Sequence, residues 1–219
     1  MTKQDYKTPP EFIAAVEKRF GPIGFDLAAH AGNKQHAKYF APPSITLPII
    51  QGITTASAVL AELRDKGCRD LIEVLPFAEG NMVFANNDPE AAGIDAFKQD
   101  WSKCARGDEI LWLNCEFGDC AEWAAECVRQ SRNKGVRILL LTPASVGSNW
   151  ARDIIFPHAE IVTILSGRIS FAHGAPFPKD CMLSLFTGDA PQDLCIWDWR
   201  KDKVHFHWDV SNDTRKEIT

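Results

Sequence analysis

Apolar residues along this chain fall into two rhythms, and the rhythm assigns the elements. Ile110–Leu113 and, apart from Arg137, Val136–Leu141 are apolar runs without alternation, which predicts strands buried on both faces, as in a parallel sheet. Between such runs the spacing turns helical. Phe12, Val16 and Phe20 recur one turn apart after Thr8-Pro9-Pro10-Glu11, which fits a capping box with proline at the first helical position. Gly21-Pro22 then stops the helix, and Ile23 to Ala29 reads as a short strand ending in small residues. Asp119 and Glu122 repeat the capping pattern. They open a helix with Cys120, Trp123, Ala124, Cys127 and Ser131 on one face, closed by Gly135.

The later chain continues the alternation with a short helix around Asn149–Phe156 and strands at Glu160–Leu165 and Met182–Phe186. Strand period returns in Val204, Phe206, Trp208 and Val210, which pair with Leu194–Trp199 across Arg200-Lys201-Asp202-Lys203 as a hairpin at about 194–210. Between about 41 and 85 the character changes. Pro42-Pro43 and Pro48 precede a helix at Ala56–Lys66 and a strand at Leu71–Phe77, so this stretch reads as a small α/β insertion, followed by turn chemistry at Asn86-Asn87-Asp88-Pro89. The expected architecture is one α/β domain over residues 1–219. It has a mainly parallel central sheet, an antiparallel edge strand and helices on both faces.

Composition narrows the function classes. With 45% hydrophobic residues the chain buries a core and is not compositionally disordered. Its net charge of −5 argues against a globally basic nucleic-acid coat while leaving room for a local basic face. No apolar run reaches the roughly 20 residues that span a bilayer. The polar start Met1-Thr2-Lys3-Gln4-Asp5 lacks the signal-peptide pattern, and no membrane partner is expected. Seven scattered cysteines point to reduced thiols in a cytosol rather than a disulfide framework. Cys115, Cys120 and Cys127 lack zinc-ligand spacing and read as a buried stripe, so no metal is expected there. His205 and His207 share a strand face and fit either a metal or, more simply, the polar side of a hairpin.

The chemistry concentrates after the first buried run, in Asn114-Cys115-Glu116-Phe117-Gly118, because open α/β sheets bind ligands beyond the carboxyl ends of their strands. Other segments fall in order around it. They are Thr8-Pro9-x-x-Phe12, Phe25-Asp26-Leu27-Ala28-Ala29 followed by Asn33, Lys34 and Tyr39-Phe40, and Gln99-Asp100-Trp101. Leu141-x-Pro143-Ala144, Gly167-Arg168-x-x-Phe171 and Ala175-Pro176-Phe177-Pro178 complete the series. Together they resemble the phage-type DNA N6-adenine methyltransferase family, the phage Dam-like enzymes. There the loop is usually Asn/Asp-Pro-Pro-Tyr/Phe. This chain departs in having Cys115 and Glu116 at the prolines, a longer insertion, and Ser145 where an arginine is expected.

The resemblance implies a Rossmann-like methyltransferase fold, S-adenosylmethionine as cofactor and DNA as partner. The setting it implies is DNA methylation of the restriction-modification kind in a cytoplasm, that of the bacterial host for a bacteriophage chain. It implies cofactor contacts from Thr8, Pro9, Phe12, Asp26, Ala28 and Asp100, and phosphate contacts from Lys34, Lys38 and Arg168. The adenine N6 amine is a poor nucleophile because its lone pair is delocalised into the ring. The Asn114 side-chain oxygen and the Cys115 carbonyl would accept its hydrogens while Phe117 stacks on a base flipped from the duplex. Proline at 115 and 116 would stiffen the loop; Cys115 keeps the carbonyl without the stiffness, and Glu116 adds a carboxylate beside DNA phosphates. Two other readings remain open. One is a catalytically inactive protein of this fold that binds DNA or a protein partner. The other is a cytosine-modifying enzyme using Cys115 as nucleophile, whose supporting motifs are absent from the chain.

Overall fold

The computed structural model describes residues 7–42, 45–50, 56–66, 72–77, 80–85, 88, 90–104, 106–133, 135–171, 175–212 and 214–217. The Asn86-Asn87-Pro89 turn chemistry and Pro43 lie outside them. The first part of the chain forms α1 (Pro10–Phe20), β1 (Ile23–Asp26), β2 (Phe40–Ala41), β3 (Ile45–Ile50), α2 (Ala56–Asp65), β4 (Ile72–Phe77), β5 (Gly80–Ala85) and β6 (Gly93–Ile94). Short 3-10 turns at Ala96–Lys98 and Trp101–Lys103 lead to β7 (Ile110–Asn114), α3 (Cys120–Ser131) and β8 (Ile138–Pro143). A π-helical turn at Ala151–Ile155 runs into α4 (Phe156–His158). The strands β9 (Ile161–Leu165), β10 (Cys181–Phe186), β11 (Asp193–Asp198), β12 (Lys203–Asp209) and β13 (Thr214–Glu217) follow.

Eight strands make one sheet in the order β1-β7-β8-β10-β9-β11-β12-β13. β1, β7 and β8 are parallel, as are β9 and β11. β10 is antiparallel to both of its neighbours, and β12 and β13 continue antiparallel at the far end. The sheet is therefore mixed, not parallel with a single antiparallel edge. The physical reason is burial. Cys181–Phe186 contains no charged residue and is buried at every position, so it belongs between β8 and β9 and not at an edge.

The continuous apolar runs alternate between two cores. Ile110, Trp112, Leu139, Leu141, Leu183 and Leu185 meet α1 through Phe12, Val16 and Phe20 on one face. Leu111, Leu113, Ile138, Leu140, Met182 and Phe186 meet α3 through Cys120, Ala124 and Cys127 on the other, together with Ala151, Ile155 and Ala159. Helices cover both faces, which is why these strands carry apolar residues at successive positions.

Strands β3, β4 and β5 build a separate antiparallel sheet in the order β3-β5-β4. Val59 and Leu63 of α2 pack there against Val83 and Ala85 in a small core of their own. The short parallel pair of β2 and β6 joins the chain just before this segment to the chain just after it.

Helix ends differ from the expected capping. Pro9 occupies the N-cap of α1 and makes no side-chain cap bond, so Thr8 stands one residue too early to cap. Pro10 does open the helix. Asp119 is the N-cap of α3, but its φ of −112° and ψ of 19° leave it without a side-chain cap bond. α3 ends at Ser131, before Gly135, which takes a φ of 84° in the turn leading to β8.

Candidate active site

Because β1 and β7 run parallel, their carboxyl ends open on the same side of the sheet, and a cavity of about 530 Å³ lies there. Leu27, Ala28 and Ala29 line it after β1, and Asn114, Cys115 and Glu116 line it after β7. Asn114 is held from a distant part of the chain: its Nδ2 donates to Thr8 Oγ1 at 3.1 Å, and Thr8 is 1% exposed. The hydroxyl that does not cap α1 thus orients the amide at the end of β7. That bond turns the amide nitrogen toward Thr8 and sets the amide oxygen at the other end of the group.

Asp26 acts from behind the cavity wall. It is 2% exposed, and its carboxylate accepts from Ala28 N at 3.3 Å and Gln35 N at 2.9 Å, folding the 27–35 loop around itself. Burial raises its carboxyl to about 6 against these two lowering hydrogen bonds. Asp26 therefore shapes the cavity without lining it.

The other expected cofactor residues are spread out. Phe12 lies in the core, edge-on to Trp112 and Trp199 at 6.5 and 5.1 Å. Pro9 is buried, and its carbonyl accepts from Phe12 N and Ile13 N. Asp100 is exposed and caps the second 3-10 turn; the Ser102 hydroxyl bonded to it holds its carboxyl below the usual range. None of the three lines the cavity. Phe117 also stands apart, with its ring 5.1 Å from Phe177 and 6.2 Å from Phe171, both edge-on.

Cys115 is buried, and hydrogen bonding to Cys120 together with burial pushes its thiol well above the ordinary value. A nucleophilic cysteine needs the opposite. Among the basic residues, Lys34 pairs with Glu90 and lies 4.9 Å from the centre of the Tyr39 ring. Lys38 is exposed, and Arg168 is exposed with Asp180 at 3.6 Å. Among the described residues no group of His, Cys, Asp and Glu is arranged to hold a metal ion, and no helix is long and apolar enough to cross a membrane.

The cavity also holds residues that the sequence pattern does not place in a site; Asp119, Glu122 and Trp123 read there only as parts of a helix. Asp95, Asp119 and Glu122 join Glu116 to make the wall acidic, with His30 beside them. Phe97 and Trp123 form a tilted aromatic pair in the same wall, their centroids 4.3 Å apart. The only signal for Phe97 is an aromatic residue set in an otherwise polar stretch, Asp95-Ala96-Phe97-Lys98-Gln99-Asp100.

The strand-end asparagine oriented by a buried threonine also lies inside the segment that matches a known family. The family described as DNA N-6-adenine-methyltransferase (Dam) matches residues 89–215, more than half of the chain. The chain belongs to the DNA N-6-adenine-methyltransferase (Dam) family. The matched Dam segment includes Asn114 and the cavity residues from Asp95 to Trp123, and it begins after the 45–85 sheet.

Solved structures similar to this Dam-family chain include one from work on complex assembly and conformational transition of the type I R-M system. It has 10% identity and a TM-score of 0.44, over 87% of this chain and 44% of that one. Another is a modification subunit assigned to a type I restriction enzyme from Vibrio vulnificus YJ016, with 10% identity and a TM-score of 0.41, over 89% of this chain and 47% of that one. The chain thus spans less than half the length of either. No curated protein matches it significantly.

Proposed function

We propose that this protein methylates the N6 amine of an adenine flipped out of DNA, using S-adenosylmethionine. The observation that carries the reading is Asn114, fixed at the end of β7 by Thr8 and open to the cavity. The domain would be a single methyltransferase unit carrying the 41–85 insertion and the 194–210 hairpin.

The cavity residues fit the cofactor. Its volume of about 530 Å³ falls within the ordinary range of small-molecule sites. Leu27, Ala28, Ala29 and Ala96 offer apolar surface, and the acidic wall of Asp95, Glu116, Asp119 and Glu122 suits a ligand bearing sulfonium and ammonium charges. When bound, S-adenosylmethionine supplies an electrophilic methyl group.

The protein's part is positioning. The Asn114 amide oxygen and the Cys115 carbonyl accept the two hydrogens of the adenine amine. This draws the nitrogen lone pair out of conjugation, and holding the amine in line supplies much of the rate. Thr8 keeps the amide turned so that oxygen faces the amine. Asp26 holds the 27–35 loop as a wall. Lys38 and Arg168 are the proposed phosphate contacts, while Lys34 ties its loop to Glu90.

One observation favours a second reading, a protein that binds without turnover. Glu116 is exposed in the cavity wall, where a carboxylate repels DNA phosphates. A single assay separates the two. Purified protein is incubated with DNA and S-adenosylmethionine, and the digested nucleosides are quantified by mass spectrometry beside an Asn114→Ala variant. N6-methyladenine that falls at least about 100-fold in the variant is the expected result, as for loss of a group that stabilises the transition state. Absence of any modified base refutes turnover and makes the binding reading the leading one, with cofactor titration as its test, and a modified cytosine refutes both.

A further inference from the structure

We infer that Phe97 and Trp123 form a stacking platform for an adenine ring, and that this pair rather than Phe117 supplies the aromatic face of the site. The inference rests on the methyltransferase reading above and deepens it by assigning a subsite.

The geometry carries it. The two rings lie 4.3 Å apart at 45° to one another, in contact themselves and both on the cavity wall. Phe97 is still 36% exposed, so its ring is not satisfied by the protein's own core. It is nevertheless held firmly. Asp95 turns the chain with a φ of 54°, a conformation that aspartate tolerates through local side-chain bonding, and its carboxylate accepts from Phe97 N at 3.2 Å.

Buried and partly buried hydrogen bonds fix the segment on either side. Trp101 Nε1 donates to Ala96 O at 2.8 Å and Gln99 Nε2 donates to Ile94 O at 2.7 Å. Gln130 of α3, 1% exposed, donates to Gln99 O at 2.8 Å and accepts from Trp101 N at 3.2 Å, locking this segment to the helix that carries Trp123. A partly exposed aromatic ring pinned against a second, tilted ring in a cavity presents a preformed π-face. Bases stack on such surfaces because every base presents a π-face. Phe117, by contrast, lies among Phe171 and Phe177 and does not line the cavity.

An adenine ring reaches this cavity from two sources, the cofactor's adenosyl group and the flipped target nucleotide. Isothermal titration with S-adenosylhomocysteine reads the first. Fluorescence of a pool of duplexes of varied sequence carrying 2-aminopurine in place of adenine reads the second. Both are applied to the full chain, to Phe97→Leu and Trp123→Leu, and to Phe97→Tyr as the variant that retains a ring, with folding checked by circular dichroism. The expected result is a roughly 5- to 150-fold weaker affinity for one of the two ligands in the leucine variants, restored in Phe97→Tyr. The ligand affected names the ring that stacks. Leucine variants that bind both ligands like the wild type overturn the platform alone. A wild-type protein that binds neither overturns the methyltransferase reading and the platform with it.

Discussion

Asp26 offers the sharpest physical test, because a carboxylate that is 2% exposed and bonded only to backbone N–H groups must record its burial in the pH dependence of folding. Its carboxyl is raised from 3.8 to about 6, with desolvation the largest cause. The difference of about 2 units corresponds to about 3 kcal/mol. The sign follows from proton linkage. Below pH 3.8 the group is protonated whether folded or unfolded and its burial is harmless. As pH rises from 3.8 toward 6 the unfolded chain releases the proton while the folded chain keeps it, so stability falls, and above 6 the loss is complete. Urea unfolding of the wild type and of Asp26→Asn between about pH 4 and pH 7.5 isolates the term, since other titrating groups are common to both. The stability of the wild type relative to the variant should drop by about 2.4 kcal/mol across that window, the rest of the term being already lost at about pH 4. A flat difference, or one that rises with pH, would refute the reasoning. It would mean that the bonds from Ala28 and Gln35 outweigh the cost of burial.

Two further perturbations test other links. Thr8→Val keeps the shape of a buried side chain but removes the Asn114 partner at 3.1 Å. It should lower stability by about 1 kcal/mol and slow methyl transfer by about tenfold, with Thr8→Ser close to wild type, in parallel thermal and single-turnover measurements. Equal rates in the valine and wild-type proteins would remove Thr8 from the site. Gly188 has a φ of 86°, and a Cβ there would lie 2.5 Å from the Ser131 carbonyl oxygen at the end of α3. Gly188→Ala should therefore destabilise by about 2 kcal/mol or more in denaturant unfolding, and a neutral result would show that this turn relaxes freely.

Much of the architecture was legible in one dimension. Apolar runs without alternation marked β7 and β8 as strands covered on both faces, and helical spacing placed Phe12, Val16 and Phe20 on the buried side of α1. The hairpin of β11 and β12 was likewise readable from its alternation and turn. These features depend on neighbours in sequence, where periodicity reports burial directly. The loop at Asn114 was legible too, since a polar residue closing a buried strand must face the open end of the sheet.

Tertiary structure decided what depends on pairing between distant segments. No periodicity tells a strand which neighbours it will have, so the interior antiparallel place of β10 emerged only when the sheet was assembled. Thr8 reads locally as a helix cap. Its hydroxyl turns instead to Asn114, 106 positions away, because the N-cap position falls on Pro9. Phe12 fits a pocket in a motif but lies in the core, and Asp100 fits an acidic contact but caps a turn. Phe97 and Trp123 meet across two segments that Gln130 ties together by hydrogen bonds to Gln99 and Trp101. Local spacing encodes which face is buried, whereas a site is made of side chains brought together by strand order and buried polar contacts, and those are properties of the assembled chain.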